Sequence, residues 1–306
     1  FSLDKVAARG EGAFLTKVFT RTALIFLCGY LLYWFPFFEF NAAGDLALRP
    51  LAHTRIPGVL QRIALGYGFA ALILHYGKTR GALLFSGAAL LGYWALMAAF
   101  GDFTLQGNAG LKLDIALLGE SHLYRGEGIP FDPEGILGTL PAIVNTLAGY
   151  LAARFLREKG IGYEALTKLL LMGALLILVA LAWHSIFPIN KKLWSSSYVL
   201  VTIGIDLALL AALTYLIDMT GPRSWGYFFE VFGRNTLFIY LFSELLMTVM
   251  GLTHVDQRNV FDWLYEVVFA PLAGDKPGSL IYALGFMLLC WLVAWGLDRK
   301  RIYIRL

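Results

Sequence analysis

Residues 57–100 read "PGVLQRIALGYGFAALILHYGKTRGALLFSGAALLGYWALMAAF". The run is apolar almost throughout, with one short polar break, Lys78-Thr79-Arg80, flanked by glycines. A helix needs about 20 apolar residues to cross the hydrocarbon of a bilayer. The run is therefore long enough for two crossings, 57–76 and 81–100, with the basic break between them. Six further apolar stretches, at 14–35, 136–156, 166–187, 196–217, 227–250 and 279–297, reach a similar length. Eight transmembrane helices are expected.

Composition agrees. The 306 residues are 58% hydrophobic and only 15% charged, with a mean hydropathy of +0.67, whereas about a quarter of a soluble domain is charged. This excludes an ordinary soluble domain and predicts an all-α, polytopic membrane helical bundle whose first partner is the lipid bilayer. The net charge of +4 is explained by basic loops on one side of the membrane rather than by nucleic acid. Cys28 and Cys290 lie inside apolar runs and read as small core hydrophobes; neither a disulfide framework nor a metal site is expected. With no soluble domain, repeat or low-complexity tract, residues 1–306 read as a single transmembrane domain.

If the eight spans alternate, Lys5, Arg9, Lys17, Arg21, Lys78, Arg80, Arg154, Arg157, Lys159, Lys168, Arg223, Arg299, Lys300, Arg301 and Arg305 share one side. Arg49, Arg55, Arg62, Lys112, Arg125, Lys191, Lys192, Arg258 and Lys276 fall on the other, and Arg234 is inside a span. The excess of cations makes the first side cytoplasmic, with both termini there. The connections 101–135 and 251–278 then face outward.

Polar residues inside apolar runs need a reason, because an ionisable group at the bilayer centre costs about 2.5–3.5 kcal/mol. Arg234 and Asn235 interrupt "EVFGRNTLFIYLFSELL", with Glu244 further along; Asp206 interrupts the sixth span. Arg234 either snorkels to headgroups or meets an anionic ligand. Gln61 and Arg62, with Arg55 just before them, serve as interfacial anchors or line a polar cavity near the outer face. In "FPINKKLWSSSYV", Asn190, Lys191, Trp194, Ser195 and Ser197 make a turn, a belt tryptophan and a helix start, or else hold a sugar against an aromatic face. The outward run "HLYRGEGIPFDPEGILGT" (122–139) gathers His122, Arg125, Glu127, Asp132 and Glu134. Asp132 is placed to cap the next helix and Pro133 suits its first turn; Glu134 favours the positive end of its dipole. Histidine and carboxylates gathered where a helix enters the membrane also suit a cationic or hydroxylated substrate, or proton transfer.

The segments "RIPGVLQRIALGY", "ALLGESHLYRGEGIPFDPEGILGT", "FPINKKLWSSSYV", "FGRNTLFIY" and "RKRIYIRL" occur in this order across almost the whole chain. In them the sequence resembles the heparan-alpha-glucosaminide N-acetyltransferase family, whose bacterial members are ten-span membrane proteins. The resemblance implies a bacterial inner-membrane enzyme that takes acetyl-CoA from the cytoplasmic side. It would pass the acetyl group across the membrane to the amine of a terminal glucosamine or related amino sugar, and would need no metal. Arg234 and Asn235 are then expected at the CoA end, with Asn235 and Asn190 also candidate oxyanion donors. His122, Asp132, Glu134, Asn190, Lys191, Trp194, Ser197, Gln61 and Arg62 are expected around the acceptor. Family analogy allows a homodimer.

The family's catalytic histidine lies on an outward loop upstream of everything in this chain, and none of His53, His75, His122, His184 or His254 matches its position. His122 is the nearest substitute, and a substrate-lining role suits it better. "FSLDK" (1–5) reads as the exit of a preceding helix, so two spans are expected to be missing and the chain alone is expected to be inactive. A sugar or amino-sugar transporter is the alternative reading, motivated by Arg234, Glu244 and the outward carboxylates; it lacks the internal repeat such folds carry.

Overall fold

The computed structural model describes residues 6, 10–41, 43–221 and 225–304. The opening segment 1–5 and Arg9, Arg223 and Arg305, all used above to orient the chain, lie outside the described residues. The chain divides into two compact units, Phe1–Gly221 and Pro222–Leu306, each described here by itself.

The first unit begins with α1 (Glu11–Trp34) and a short hairpin of β1 (Phe38–Phe40) and β2 (Leu46–Leu48), antiparallel with Phe38 opposite Leu48. Then come α2 (Val59–Phe100), α3 (Ala109–Leu118), α4 (Ile136–Lys159), α5 (Tyr163–His184) and α6 (Ser196–Thr214). A wider π turn, Tyr215–Met219, prolongs α6.

As a straight rod α2 would be about 63 Å long, twice the hydrocarbon thickness. It is instead folded back at Lys78, whose φ is 52°. Ala70 and Ala82 pack into one cluster with Ile143 and Leu147, and Arg62 and Tyr93 line one cavity. Those pairs meet only if 59–77 and 79–100 run antiparallel. The "GKTRG" break is thus a hairpin between two arms, as the sequence predicts.

The main core gathers the second arm of α2 with α4, α5 and α6, through Ala89, Val144, Leu169, Val199, Ile203 and Leu207. Large side chains of α5 such as Leu171, Leu175 and Leu178 are more than half exposed, which suits contact with lipid. α5 and α6 approach through glycine: a Cβ added to Gly173 would lie 2.6 Å from the Gly204 carbonyl, and one on Gly204 equally close to the Gly173 carbonyl. Small residues at such crossings let membrane helices pack by backbone contact.

In the second unit α7 (Gly226–Arg234) and α8 (Thr236–Leu252) meet at Asn235 with an 83° bend. The single straight span expected over 227–250 is therefore broken. Asn235 explains the break, because it is buried and both ends of its amide are spent on the C-terminal tail. Its Nδ2 donates to the Ile302 carbonyl (3.0 Å) and its Oδ1 accepts from the Ile304 N–H (2.8 Å). A two-rung hairpin, β3 (His254–Val255) with β4 (Arg258–Asn259), and short helical turns lead to α9 (Asp275–Arg299). Six of the described helices are long and apolar enough to cross a membrane, seven with the bent pair. Counting the two arms of α2 separately gives the eight crossings expected. The chain is an all-α polytopic membrane bundle.

The glycine crossing yields a prediction. Gly204→Val puts a branched side chain where only backbone fits, at a cost of about 1–3 kcal/mol. The melting temperature of the purified protein in detergent should fall by several degrees, while Gly149→Ala, with open space around it, should leave it unchanged. Equal melting of the two variants would contradict the close contact.

Candidate functional site

At one end of the first unit, the loop before α2, the 120–135 connection, the end of α1 and the start of α4 converge on Arg55. Its Nε and Nη2 donate to the two oxygens of Asp132, both at 2.7 Å, and Nη2 also reaches Glu134 Oε2 at 2.7 Å. Nη1 donates to the Tyr33 hydroxyl (3.2 Å), and the guanidinium lies 4.8 Å from the ring centres of both Tyr33 and Tyr124. The Asp132 side chain is fully buried, while Arg55 and Glu134 each keep 18% exposure. Such a two-pronged arginine–carboxylate pair is strong and directional. Removing either partner strands a buried charge at a cost of about 3–5 kcal/mol.

Asp132 also accepts from the N–H groups of Glu134 (3.0 Å) and Tyr124 (3.3 Å). It does not cap α4. That role falls to Asp114, buried on α3, whose Oδ1 accepts from the Ile136 N–H at 2.9 Å. The cap comes from a separate helix because Asp132 is fully used by Arg55 and its own loop. Burial, partly offset by the Ile136 N–H and reinforced by the charge of Asp132, pushes the Asp114 carboxyl up to about 6. His122 ties the same loops together: its Nδ1 donates to the Thr54 carbonyl (2.7 Å), and its own carbonyl accepts from the Ile56 N–H (3.1 Å). Whenever the ring is neutral, Nε2 is then its acceptor nitrogen.

Arg62 lies beneath this cluster. It is buried, stacks on Trp194 (4.9 Å) and donates through Nη2 to the Gly135 carbonyl at 3.3 Å. With Asp114, Asp132, Asn108 and Tyr93 it lines a cavity with room for about one water molecule. Lys192 also lines it, and an ion pair to Glu127 joins Lys192 to the facing loop. Gln61 is buried against α1, with its amide oxygen beside Gly29 and Gly58.

The expected acceptor residues thus divide. His122, Asp132, Glu134 and Arg62 come together around Arg55 or directly under it. Trp194, whose φ of 53° turns its ring inward, donates to Asn145 Oδ1 (3.2 Å) and carries Arg62. Ser197 is fully buried and donates to the Phe187 carbonyl at 2.7 Å, which anchors the start of α6. The Asn190 amide oxygen accepts from the N–H groups of Lys192 (2.9 Å) and Leu193 (3.3 Å) and shapes the turn. Lys191 is exposed on that turn.

The two residues expected at the CoA end carry structural bonds. Arg234 pairs with Asp298 (2.6 Å) and, one helical turn away, with Glu230 (2.5 Å). Asn235 is consumed by the tail. Both are thus engaged in structural bonds within the second unit, and no step is assigned to them. Arg55, Tyr33, Tyr124 and Asp114 complete the cluster; only Arg55 stood out in the sequence, as a cation just ahead of an apolar run.

No protein-family model matches the chain. Heparan-alpha-glucosaminide N-acetyltransferase of Homo sapiens is 26% identical over 307 residues, covering 80% of this chain and 44% of the human protein. The Mus musculus protein of the same name is 31% identical over 159 residues, covering 46% of this chain and 24% of its own length. Both matches support the resemblance to the heparan-alpha-glucosaminide N-acetyltransferase family. The chain spans less than half the length of these curated relatives.

Asp114 gives a pH prediction. Its carboxyl titrates near 6 when folded against an ordinary value of 3.8, so the folded state holds the proton more tightly. The resulting stabilisation is full below about pH 4 and is lost as pH rises through about 6. Asp114→Asn keeps an acceptor for Ile136 and carries no charge. The melting temperature of the unsubstituted protein, relative to this variant, should fall between pH 4 and pH 7; parallel curves would contradict the assignment.

Proposed function

We propose that residues 1–306 act as one transmembrane acyltransferase domain. It passes an acetyl group from cytoplasmic acetyl-CoA to the amine of a terminal glucosamine or related amino sugar at the outer face. The reading rests on similarity to the two N-acetyltransferases for the reaction and on the Arg55 cluster for the place. The observation that carries it is the asymmetry of the two acids. Asp132 is sealed and fully bonded, whereas Glu134 shares the same guanidinium yet keeps access to solvent.

A sugar amine is a cation that must lose a proton before it attacks a thioester carbonyl. Glu134 is the carboxylate that can receive the ammonium, and Arg55 and Asp132 fix its position. The exposed face of Tyr124 supplies an aromatic surface for a sugar ring. His122, oriented by the Thr54 carbonyl, presents its acceptor nitrogen from the same loop. The donor is acetyl-CoA, which supplies the thioester. Its phosphates would meet the basic loops at the other end of the unit, where Lys17, Arg80 and Lys159 are exposed. Support for pairing the two ends comes from the fold: Glu11 bonds Tyr76 (2.7 Å) and Arg154 bonds Thr79 (3.0 Å) there, so loops expected on one side do meet. On this reading the protein sits in the bacterial inner membrane with both termini cytoplasmic, alone or as a homodimer.

The test is acetylation of glucosamine by acetyl-CoA in membranes carrying the natural full-length protein. Glu134→Gln should lower turnover about a hundredfold, the low end of general acid–base contributions, while shifting the melting temperature by only a few degrees. Loss of activity matched by an equal loss of folded protein would return Glu134 to a purely structural role. Absence of any acetyl transfer by the unsubstituted protein would overturn the reading itself.

A further inference from the structure

Among the described residues, eight buried side-chain atoms have no hydrogen-bond partner: Arg21 Nε, Thr22 Oγ1, Thr54 Oγ1, both amide atoms of Gln61, Arg62 Nε and Nη1, and Tyr67 Oη. All belong to α1, the first arm of α2 and the loop that precedes it. Such atoms cost about 1–3 kcal/mol each when left unpaired, and more when charged. Lipid offers them nothing. Elsewhere the described chain pairs its buried side-chain polar atoms, Asp132 included. The exception is therefore local.

These atoms share a seam. The Arg21 guanidinium lies 4.9 Å from the Tyr67 ring centre, Thr22 faces Gly68, and Gln61 faces Gly29. From Arg21 to Gly29 the seam runs about 12 Å along α1. A Cβ on Gly68 would come within 2.7 Å of Thr22 Oγ1, so glycine keeps the facing wall clear for the polar ends. At the top of the seam, Arg62 opens onto the cavity that has room for about one water. Gln61 is 2% exposed and Arg62 7%, so bulk solvent does not serve them.

We propose that the seam between α1 and the first arm of α2 binds ordered water. A file of water molecules would hydrogen-bond Arg21, Thr22, Tyr67, Gln61 and Arg62 and give a wetted path from the middle of the bundle to the Arg55 cluster. The inference needs only the unpaired atoms and their alignment, and it stands whether or not the protein transfers acetyl groups.

Cysteine accessibility tests it. In a Cys28→Ser, Cys290→Ser background, Thr22→Cys and Gln61→Cys place thiols in the seam. Leu24→Cys and Ile63→Cys place them on lipid-facing positions of the same helices at nearly the same depth, where the native side chains are 38% and 53% exposed. A charged methanethiosulfonate reagent attacks the thiolate, which forms only where water reaches, so seam thiols should react at least about tenfold faster. Equal rates at seam and lipid positions would overturn the proposal. The unsubstituted protein offers a second reading free of folding artefacts. Hydroxyl radicals generated from water in place should label Tyr67 faster than Tyr93, which is 2% exposed and bonds the Leu193 carbonyl. Tyr67 labelled no faster than Tyr93 would refute a hydrated seam.

Discussion

One arginine governs the polar end of the first unit. Arg55 has to neutralise a carboxylate that the fold hides completely, and it does so with two parallel hydrogen bonds to Asp132 while retaining Glu134. A buried acid without such a partner would neutralise itself or unfold its surroundings. The pairing joins residues 77 and 79 positions apart in the chain. It therefore fixes the loop ahead of α2 against the entry to α4, and the two tyrosine rings that lie against the guanidinium bring in α1 and the 120–135 connection.

Committing Asp132 to Arg55 has consequences further along. The α4 entry takes its cap from Asp114 on α3, which buries a second carboxylate and raises its affinity for a proton. Gly135 leaves room for the Asp114 carboxylate and Gly138 lets Arg62 approach that entry, and Arg62 in turn rests on Trp194. Trp194 bonds Asn145, and Asn145 bonds Thr202 (3.3 Å), so the polar chain descends into the span region between α4 and α6. Asp206, exposed on the next turn of α6, lines a cavity of about 100 Å³ with Asn145 and Gly149. In the second unit the logic is similar but closed: Arg234, Asp298 and Glu230 satisfy one another, and Asn235 locks the tail.

The spans were legible because apolar length is a strong and local signal. The reversal in α2 was legible too, since two glycines and two cations break a run that no single crossing could use. The bend at Asn235 was not. A lone Arg-Asn pair in an apolar stretch reads the same whether it meets a ligand or ties down a distant tail, and Ile302 and Ile304 lie more than sixty residues away. Asp132 misled for the opposite reason. Asp-Pro-Glu ahead of an apolar run is a good local cap, and only the three-dimensional demand of Arg55 overrides it. The serines at 195–197 followed local rules, starting α6 through Ser195, while their complete burial depended on Leu90 and Phe187 from other elements. The gathering of His122, Asp132, Glu134 and Arg62 was foreseen; Tyr33, Tyr124 and Asp114 were not, because belt aromatics and loop acids are common at membrane surfaces.

The central claim is that Arg55 and Asp132 act as one buried unit that holds the site together. A double-mutant cycle measures this most directly, using Arg55→Met, Asp132→Leu and the combination, with unfolding followed in one detergent. The account predicts strong coupling, at least about 1.5 kcal/mol, with the double variant more stable than the sum of the single losses implies. Strictly additive losses would mean that the two side chains do not depend on each other, and would contradict it.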